Sequence, residues 1–253
     1  MTTLLISDLH LHPGSPRVTE GFLHWLEARA RVGDALYILG DLFEAWIGDD
    51  LLDLAEQDST GNAALAAGIA AALRRLAEGG TAIYLMHGNR DFLVGSRFAA
   101  EAGASLLPDP TVLELGGKRV LLMHGDSLCT RDEAYMAFRQ QARDPQWQAQ
   151  VLAMPIQERI ALAGQLRKQS GEANSNKAED IMDVTPGEVV NVMAEHGVTT
   201  LIHGHTHRPA VHEIEVDSRP ARRYVLGDWQ PAKGWEIAIE DSSEPQLQAF
   251  PLP

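Results

Sequence analysis

A chain of 253 residues, 45% hydrophobic and 22% charged, has the length and composition of one sizeable globular domain with an ordinary core. Its formal charge of −14 excludes the clustered basic surface that nucleic-acid binding needs and disfavours broad adhesion to an anionic membrane. One cysteine, Cys129, allows no internal disulfide and points to a reducing compartment, and neither a basic leader nor a run of ~20 apolar residues is evident, so the expected location is the cytoplasm with peripheral membrane contact.

Residues 4–7 form a short apolar run that ends in Asp8-Leu9-His10. This reads as a buried strand delivering two donors at its C-terminal end, with alternation placing Asp8 and His10 on one side. A helix is expected over 16–31, where Phe22, Leu23, Trp25 and Leu26 recur at helical spacing. His24 inside it reads as a surface or core residue. A second buried strand over 35–39 ends in Gly40-Asp41-Leu42-Phe43-Glu44, and Gly40 permits the tight turn that points Asp41 into a site. Residues 51–78 are rich in Ala and Leu around a break at 59–61 and read as helix without chemistry.

The third strand, 81–86, ends in His87-Gly88-Asn89-Arg90-Asp91. Asn89 offers a metal a neutral carbonyl oxygen, Arg90 offers phosphate a charged fork, and His87 reads as structural. Strands over 111–115 and 118–123 flank Gly116-Gly117, a hairpin signal, and the second ends in His124-Gly125-Asp126. Residues 131–180 then interrupt a strand-rich chain with helical periodicity, Ile156, Ile160, Ala163 and Leu166 recurring at spacings of four, three and three. Seven basic and seven acidic residues leave this segment neutral, so the remainder carries the whole −14. Such relief suits an anionic substrate; an ordinary insertion with a solvated face accounts for it equally well.

A helix over 186–196 and a strand over 198–202 lead into Gly204-His205-Thr206-His207. Two histidines one residue apart on a loop anchored by a strand suit metal ligation. The plainer reading, two surface histidines in a turn, loses ground because four other donor clusters also end strands. Strand-like runs follow over 211–216, 222–226 and 235–239, and the proline-rich tail is expected to fray.

The collected donors are Asp8, His10, Asp41, Asn89, His124, His205 and His207. Seven oxygen and nitrogen ligands are too many for one ion with room for substrate, and suit two ions sharing a bridging carboxylate. Two-ion sites hold their metals about 3.5 to 4 Å apart, clamp both oxygens of a phosphoryl displacement and acidify water toward neutrality. These donors are compatible with manganese, iron or zinc.

The ordered blocks Asp8-x-His10, Gly40-Asp41, Gly88-Asn89-Arg90-Asp91, His124 and Gly204-His205-Thr206-His207 span most of the chain and resemble the calcineurin-like metallophosphoesterases. The resemblance implies an α/β fold of two packed mixed β-sheets flanked by helices, here a single domain over 1–253 with 131–180 inserted as a helical lid. It implies that Asp8, His10, Asp41 and His207 hold one ion and Asp41, Asn89, His124 and His205 the other, with Asp41 as the bridge. One departure matters: many members have histidine, often treated as a proton donor, where this chain has Arg90. Arginine does not release a proton at neutral pH. Arg90 therefore reads as an electrostatic group for phosphoryl oxygens, which suits a leaving group that needs little protonation, such as a phosphate.

The runs Ile6-Ser7-Asp8-Leu9-His10-Leu11, Gly40-Asp41-Leu42-Phe43-Glu44-Ala45-Trp46, Asn174-Ser175-Asn176-Lys177, Ile181-Met182-Asp183-Val184 and His203 to Pro209 resemble the branch of that family that acts in lipid A biosynthesis. This implies hydrolysis of UDP-2,3-diacylglucosamine to UMP and 2,3-diacylglucosamine 1-phosphate, with two Mn2+ ions and hydroxide attack on the uridine-side phosphorus. It implies a monomer placed peripherally on the cytoplasmic face of the inner membrane. Asp41 and Arg90 would serve catalysis. Asn89, Arg90, Asp132, Ser170, Asn174, Lys177 and His205 would contact the substrate, with Arg167 and Tyr135 as secondary candidates. Trp147, Val151, Leu152, Met154, Ile156 and Ile160 would line a cleft for acyl chains, at about 0.8 kcal/mol per buried methylene, or else pack the lid on itself. Asp126 and Glu44 would orient ligand histidines. Two other readings stand beside this one. A related phosphodiesterase or phosphatase for another phosphoester would leave the lid dispensable, against the Asn-Ser-Asn-Lys run. A non-catalytic scaffold is disfavoured by competent residues at all seven donor positions.

Overall fold

The computed structural model describes residues 1–54, 58, 60–174, 181, 183–241 and 243–253. In chain order the elements are β1 (Thr3–Ile6), α1 (Pro16–Ala28), β2 (Ala35–Leu39), α2 (Asn62–Glu78), β3 (Ala82–Met86), α3 (Ser96–Ala102), β4 (Ala104–Leu107), β5 (Thr111–Leu115) and β6 (Lys118–Leu122). There follow α4 (Glu133–Ala142), α5 (Pro145–Leu152), α6 (Ile156–Asn174), α7 (Pro186–Glu195), β7 (Thr200–His203), β8 (Ala210–Val216), β9 (Arg219–Val225), β10 (Lys233–Ile239) and β11 (Gln246–Pro251).

The strands form two mixed sheets, one in the order β11-β10-β1-β2-β3-β4 and the other β5-β6-β7-β9-β8. Side-chain alternation along each strand sorts the core into three layers. On β1 and β2, Leu4, Ile6, Leu36 and Ile38 face α1 and α2, meeting Phe22, Trp25, Ile69 and Leu73. Their neighbours Leu5, Tyr37 and Leu39 face the second sheet, against Val120, Leu122, Ile202 and Tyr224. The far side of that sheet, with Leu121 and Leu201, is covered by Val189 and Met193 of α7. β2 is buried along its whole length, as a parallel strand covered on both faces must be.

This topology decides where the chemistry goes. β1, β2 and β3 run parallel, and β6 and β7 run parallel in the second sheet. The loops leaving the C-terminal ends of all five therefore emerge together, the usual position for a site in parallel sheets. Helices α4 to α6, which fall within the segment 131–180, stand beside that end. Arg159 of α6, 4% exposed, fastens them to the body by donating to the Ile47 carbonyl at 2.6 Å and to Asp50 Oδ1 at 2.8 Å.

Several local expectations need revision. The helix expected over 16–31 ends at Ala28, and a 3-10 turn at Ala30–Val32 closes it. The stretch 51–78 divides into a 3-10 turn, Asp49–Leu54, and α2. Helix α3 and strand β4 were not anticipated, being seven and four residues long, too short for periodicity to register. The tail is not frayed. β11 pairs antiparallel with β10, Phe250 packs its ring on Trp25 and Trp229, and Pro251 sits at the end of an edge strand, where a missing N–H is tolerated.

Asp49 holds α3 from outside the helix, accepting from the amides of Gly95 at 2.9 Å and Phe98 at 3.0 Å and from the Trp46 indole at 3.1 Å. Hydrogen bonds to a charged group contribute about 1.5 to 3 kcal/mol. Asp49→Ala is expected to lower unfolding stability by about 2 kcal/mol in urea denaturation, and an unchanged midpoint would show that α3 does not depend on this cap.

Candidate metal centre and substrate cleft

All seven donors inferred above converge at the strand ends. The bridging assignment for Asp41 has a geometric counterpart: its Oδ2 lies 3.8 Å from His10 Nε2 and 3.8 Å from His124 Nε2, on opposite sides of the cluster. On one side His10 Nε2 faces His207 Nε2 at 3.1 Å, and His207 Nε2 lies 3.5 Å from Asp8 Oδ1. On the other, Asn89 Oδ1 sits 3.0 Å from His124 Nε2 and 2.9 Å from His205 Nδ1. Candidate ligand atoms of Asp8, His10 and His207, and of Asp8, Asp41 and His124, lie within 4.8 Å of one another.

Such a donor set fits metal ions. His124 Nδ1 lies 2.9 Å from the Leu39 carbonyl and donates to it, so its Nε2 turns toward Asp41 and Asn89. Electron pairs face electron pairs across the cluster unless a proton or a cation stands between them. Protons fill that place in the metal-free chain. Burial alone would lower the pKa values of His10 and His124, yet Glu44 and Asp41 for the first, and Asp41 and Asp126 for the second, hold them up at about 9. Burial raises Asp41 to about 6 despite the imidazoles. For Asp8 the balance is reversed: burial opposes ionisation, but His207, His124 and His10 hold its carboxyl well below the usual range. His205, pushed down to about 3 by burial and His124, is neutral, the form that ligates metal. Burial pushes the Cys129 thiol up to about 12, so no thiolate joins the oxygen and nitrogen set.

Backbone conformation aims these side chains. Asp8, His10, Asp41, His205 and His207 all have positive φ, between 49° and 66°, each at a cost of about 1 to 3 kcal/mol. That strain concentrates in the loops that must turn sharply at a strand end. Gly40, at φ 91°, lets the β2 loop pass against the His124 ring, and at Gly88 any Cβ would overlap the Asp41 carboxylate.

Around the donors stands a set of supports only partly foreseen. Glu44 Oε2 lies 3.0 Å from His10 Nδ1, the orienting role expected of it. Asp126 bonds to lid residues and not to a ligand histidine; it accepts from Tyr135 Oη at 2.6 Å and Arg139 Nε at 2.9 Å. Asp91, which drew no assignment, accepts from the amides of Asp41, Leu42 and Gly88 at 3.3, 2.8 and 2.8 Å and locks two ligand loops together. Its place in the Gly88-to-Asp91 block was the available signal. His87 is structural, its Nε2 2.6 Å from the Val94 carbonyl.

A cavity of about 580 Å³ opens from the donors and runs under the lid. Its lining includes the polar residues His10, Asp41, Asn89, Arg90, His205 and His207 and the apolar residues Trp46, Phe92, Phe138, Trp147, Val151 and Leu162. Of the apolar lid residues named above, Trp147 and Val151 thus face the cavity, whereas Leu152 and Ile160 are 43% and 37% exposed and Met154 and Ile156 are absent from the lining. Among the substrate-contact candidates, Asn89, Arg90, Asp132 and His205 line the cavity. Asp132 also caps α4, accepting from the Tyr135 amide at 3.1 Å. Ser170 and Asn174 fall on the last turns of α6, and their side chains, like the whole of Lys177, lie outside the described residues.

Residues 1–209 match the calcineurin-like phosphoesterases, and the chain belongs to that family. More narrowly, it is 62% identical over 251 residues to a UDP-2,3-diacylglucosamine hydrolase of Chromohalobacter salexigens, covering 99% of this chain and 98% of that protein. Proteins of the same name from Pseudomonas paraeruginosa and Cellvibrio japonicus are 55% identical over 252 residues and 56% over 235, with coverage of 100% and 93% of each chain respectively.

Because a Cβ at Gly88 would overlap the Asp41 carboxylate, Gly88→Ala is expected to displace Asp41. Overpacking of this kind costs about 1 to 3 kcal/mol. Metal titration of the folded variant should show weakened binding, and wild-type affinity would mean that the loop yields without moving the ligand.

Proposed function

We propose that the chain hydrolyses the pyrophosphate bond of UDP-2,3-diacylglucosamine, giving UMP and 2,3-diacylglucosamine 1-phosphate. The observation that carries this reading is one cavity lined both by the histidine and carboxylate cluster and by aromatic and aliphatic side chains. A substrate with a charged pyrophosphate and two acyl chains needs both. The names of relatives at 62% and 55% identity support it.

Two divalent ions, taken as manganese on the family resemblance and not on the donor set, would supply an acidified water and neutralise charge on the phosphoryl oxygens. Asp8, His10, Asp41 and His207 would hold one and Asp41, Asn89, His124 and His205 the other. The protein's own contribution is placement. The Asp41 Oδ1 accepts from the Arg90 amide at 2.8 Å, which fixes the bridging carboxylate and sets the Arg90 side chain beside it in the cavity wall. Its guanidinium can meet charge that develops on the phosphoryl oxygens. Water adds to the phosphorus next to uridine, the bond from that phosphorus to the bridging oxygen breaks, and the oxygen departs with the sugar phosphate. A phosphate leaving group needs no proton donor there. Residues 131–180 would act as the lid, and Asp132 lines the cavity; Ser170, Asn174 and Lys177 remain proposed substrate contacts whose side chains lie outside the described residues. Among the described residues no helix is long and apolar enough to cross a membrane. The acyl chains of the substrate would draw a monomer peripherally to the cytoplasmic face of the inner membrane.

Hydrolysis of the substrate in detergent micelles, in ¹⁸O-water with manganese, should place the label in UMP, while UDP-N-acetylglucosamine is barely cleaved. Equal cleavage of both compounds, or none of the lipid, would refute the assignment and leave another phosphoester as the substrate. Arg90→Ala should lower kcat by about 10²- to 10³-fold with metal content retained; undiminished turnover would remove Arg90 from the chemistry.

A further inference from the structure

Helix α4 is the first element of the lid, and its inner face is polar. Tyr135, Arg139 and Arg143 recur every four residues, so they form one stripe along the helix. Every member of that stripe reaches a loop that carries a donor. The Tyr135 ring lies 5.8 Å from the His205 ring at 31°, and its hydroxyl donates to Asp126, two residues beyond His124. Arg139 donates to the same carboxylate oxygen at 2.9 Å. Arg143 donates to the carbonyls of Gly88 at 3.0 Å and His87 at 3.3 Å, immediately before Asn89. His124, Asn89 and His205 are the three donors that join Asp41 on one side of the cluster. The other side is braced from the body: Asp8 by Ser7 and the Trp229 amide, His10 by Glu44.

We propose that Arg139 and Arg143 are positioning residues for one ion of the pair, so that docking of α4 and loading of the ion held by Asn89, His124 and His205 are coupled. The inference rests on the two-ion reading above. Asp126 is fully buried, and without the Arg139 guanidinium it would lose its principal ionic partner and shift the loop that bears His124. Without Arg143, the two carbonyls ahead of Asn89 lose a charged donor that spans from lid to loop. Partners that orient metal ligands in this indirect way change affinity by about 10- to 100-fold when removed. The hydrogen bonds and ion pairs of Arg139 and Arg143 go to Asp126, Asp109 and the carbonyls of His87 and Gly88, and none goes to Asp8, His10 or His207.

The test is manganese titration of the full, metal-stripped chain, following free Mn2+ by electron paramagnetic resonance and fold by circular dichroism. Wild type should take up two ions, and fewer than two would overturn the two-ion reading itself. Arg139→Met and Arg143→Met should each retain one ion at wild-type affinity and bind the second about 10- to 100-fold more weakly, with loss of the spin-coupled signal at limiting metal. Arg143→Lys, whose ammonium can still donate to a carbonyl, should recover part of the loss. Should Arg139→Met fail to fold because Asp126 is left unpaired, Arg143→Met, on a side chain 22% exposed, decides the matter. Equal weakening of both ions, or of neither, in a folded Arg143→Met chain would overturn the proposal.

Discussion

An ionised carboxylate withdrawn from water costs several kcal/mol unless donors or cations surround it. Asp41 is 1% exposed and Asp8 fully buried; the Ser7 hydroxyl and the His205 amide donate to Asp8 and the Arg90 amide to Asp41, and imidazole nitrogens stand beyond them at 3.5 to 3.8 Å. The nearby carboxylates hold the pKa values of His10 and His124 up, so the cluster draws positive charge, and metal binding to such ligands releases protons. The surrounding fold keeps the donors close.

The two-sheet architecture meets that demand through parallel strands. Because β1, β2, β3, β6 and β7 end at one edge, five short loops can each carry a donor inward, and no loop has to be long. Short loops leave little room to adjust, which is why positive φ falls on the ligands themselves. The carboxylate of Asp91 removes the remaining freedom by tying the amides of Asp41, Leu42 and Gly88 to one another. Rigid placement here is a property of the backbone as much as of the side chains.

This explains what could be read from the chain and what could not. Donors that follow an apolar run, such as Asp41 after 35–39 or His124 after 118–123, are legible because strand and site adjoin in sequence. Gly116-Gly117 likewise announces the β5–β6 hairpin, both glycines having positive φ. Pairings between distant segments leave no such local trace. The docking of β11 on β10 depends on an aromatic cluster drawn from α1, Trp229 and the tail, and a count of prolines points the wrong way. Asp126 could be suspected from its position after His124, but its partners, eleven or more residues from that histidine in α4, could not be named.

The neutrality of 131–180 had two readings, and the structure redistributes both. Arg139 pairs with Asp126, Arg143 with backbone carbonyls of the β3 loop, Arg159 with Asp50 and Arg167 with Glu44 at 2.9 Å. Four of the seven basic side chains thus answer groups of the body, three of them acidic. Local charge balance in the lid is therefore chiefly a docking device: a strongly acidic body gathers a segment that supplies its missing cations. Arg167 differs from the rest in being 55% exposed, and like Arg159 it lines the cavity. Its partner Glu44 also holds His10, so this pair joins the lid to the donor group that α4 does not touch. The α4–α6 segment and the donor cluster are consequently connected on both sides, by a half-buried stripe at one and by the Arg167–Glu44 pair at the other.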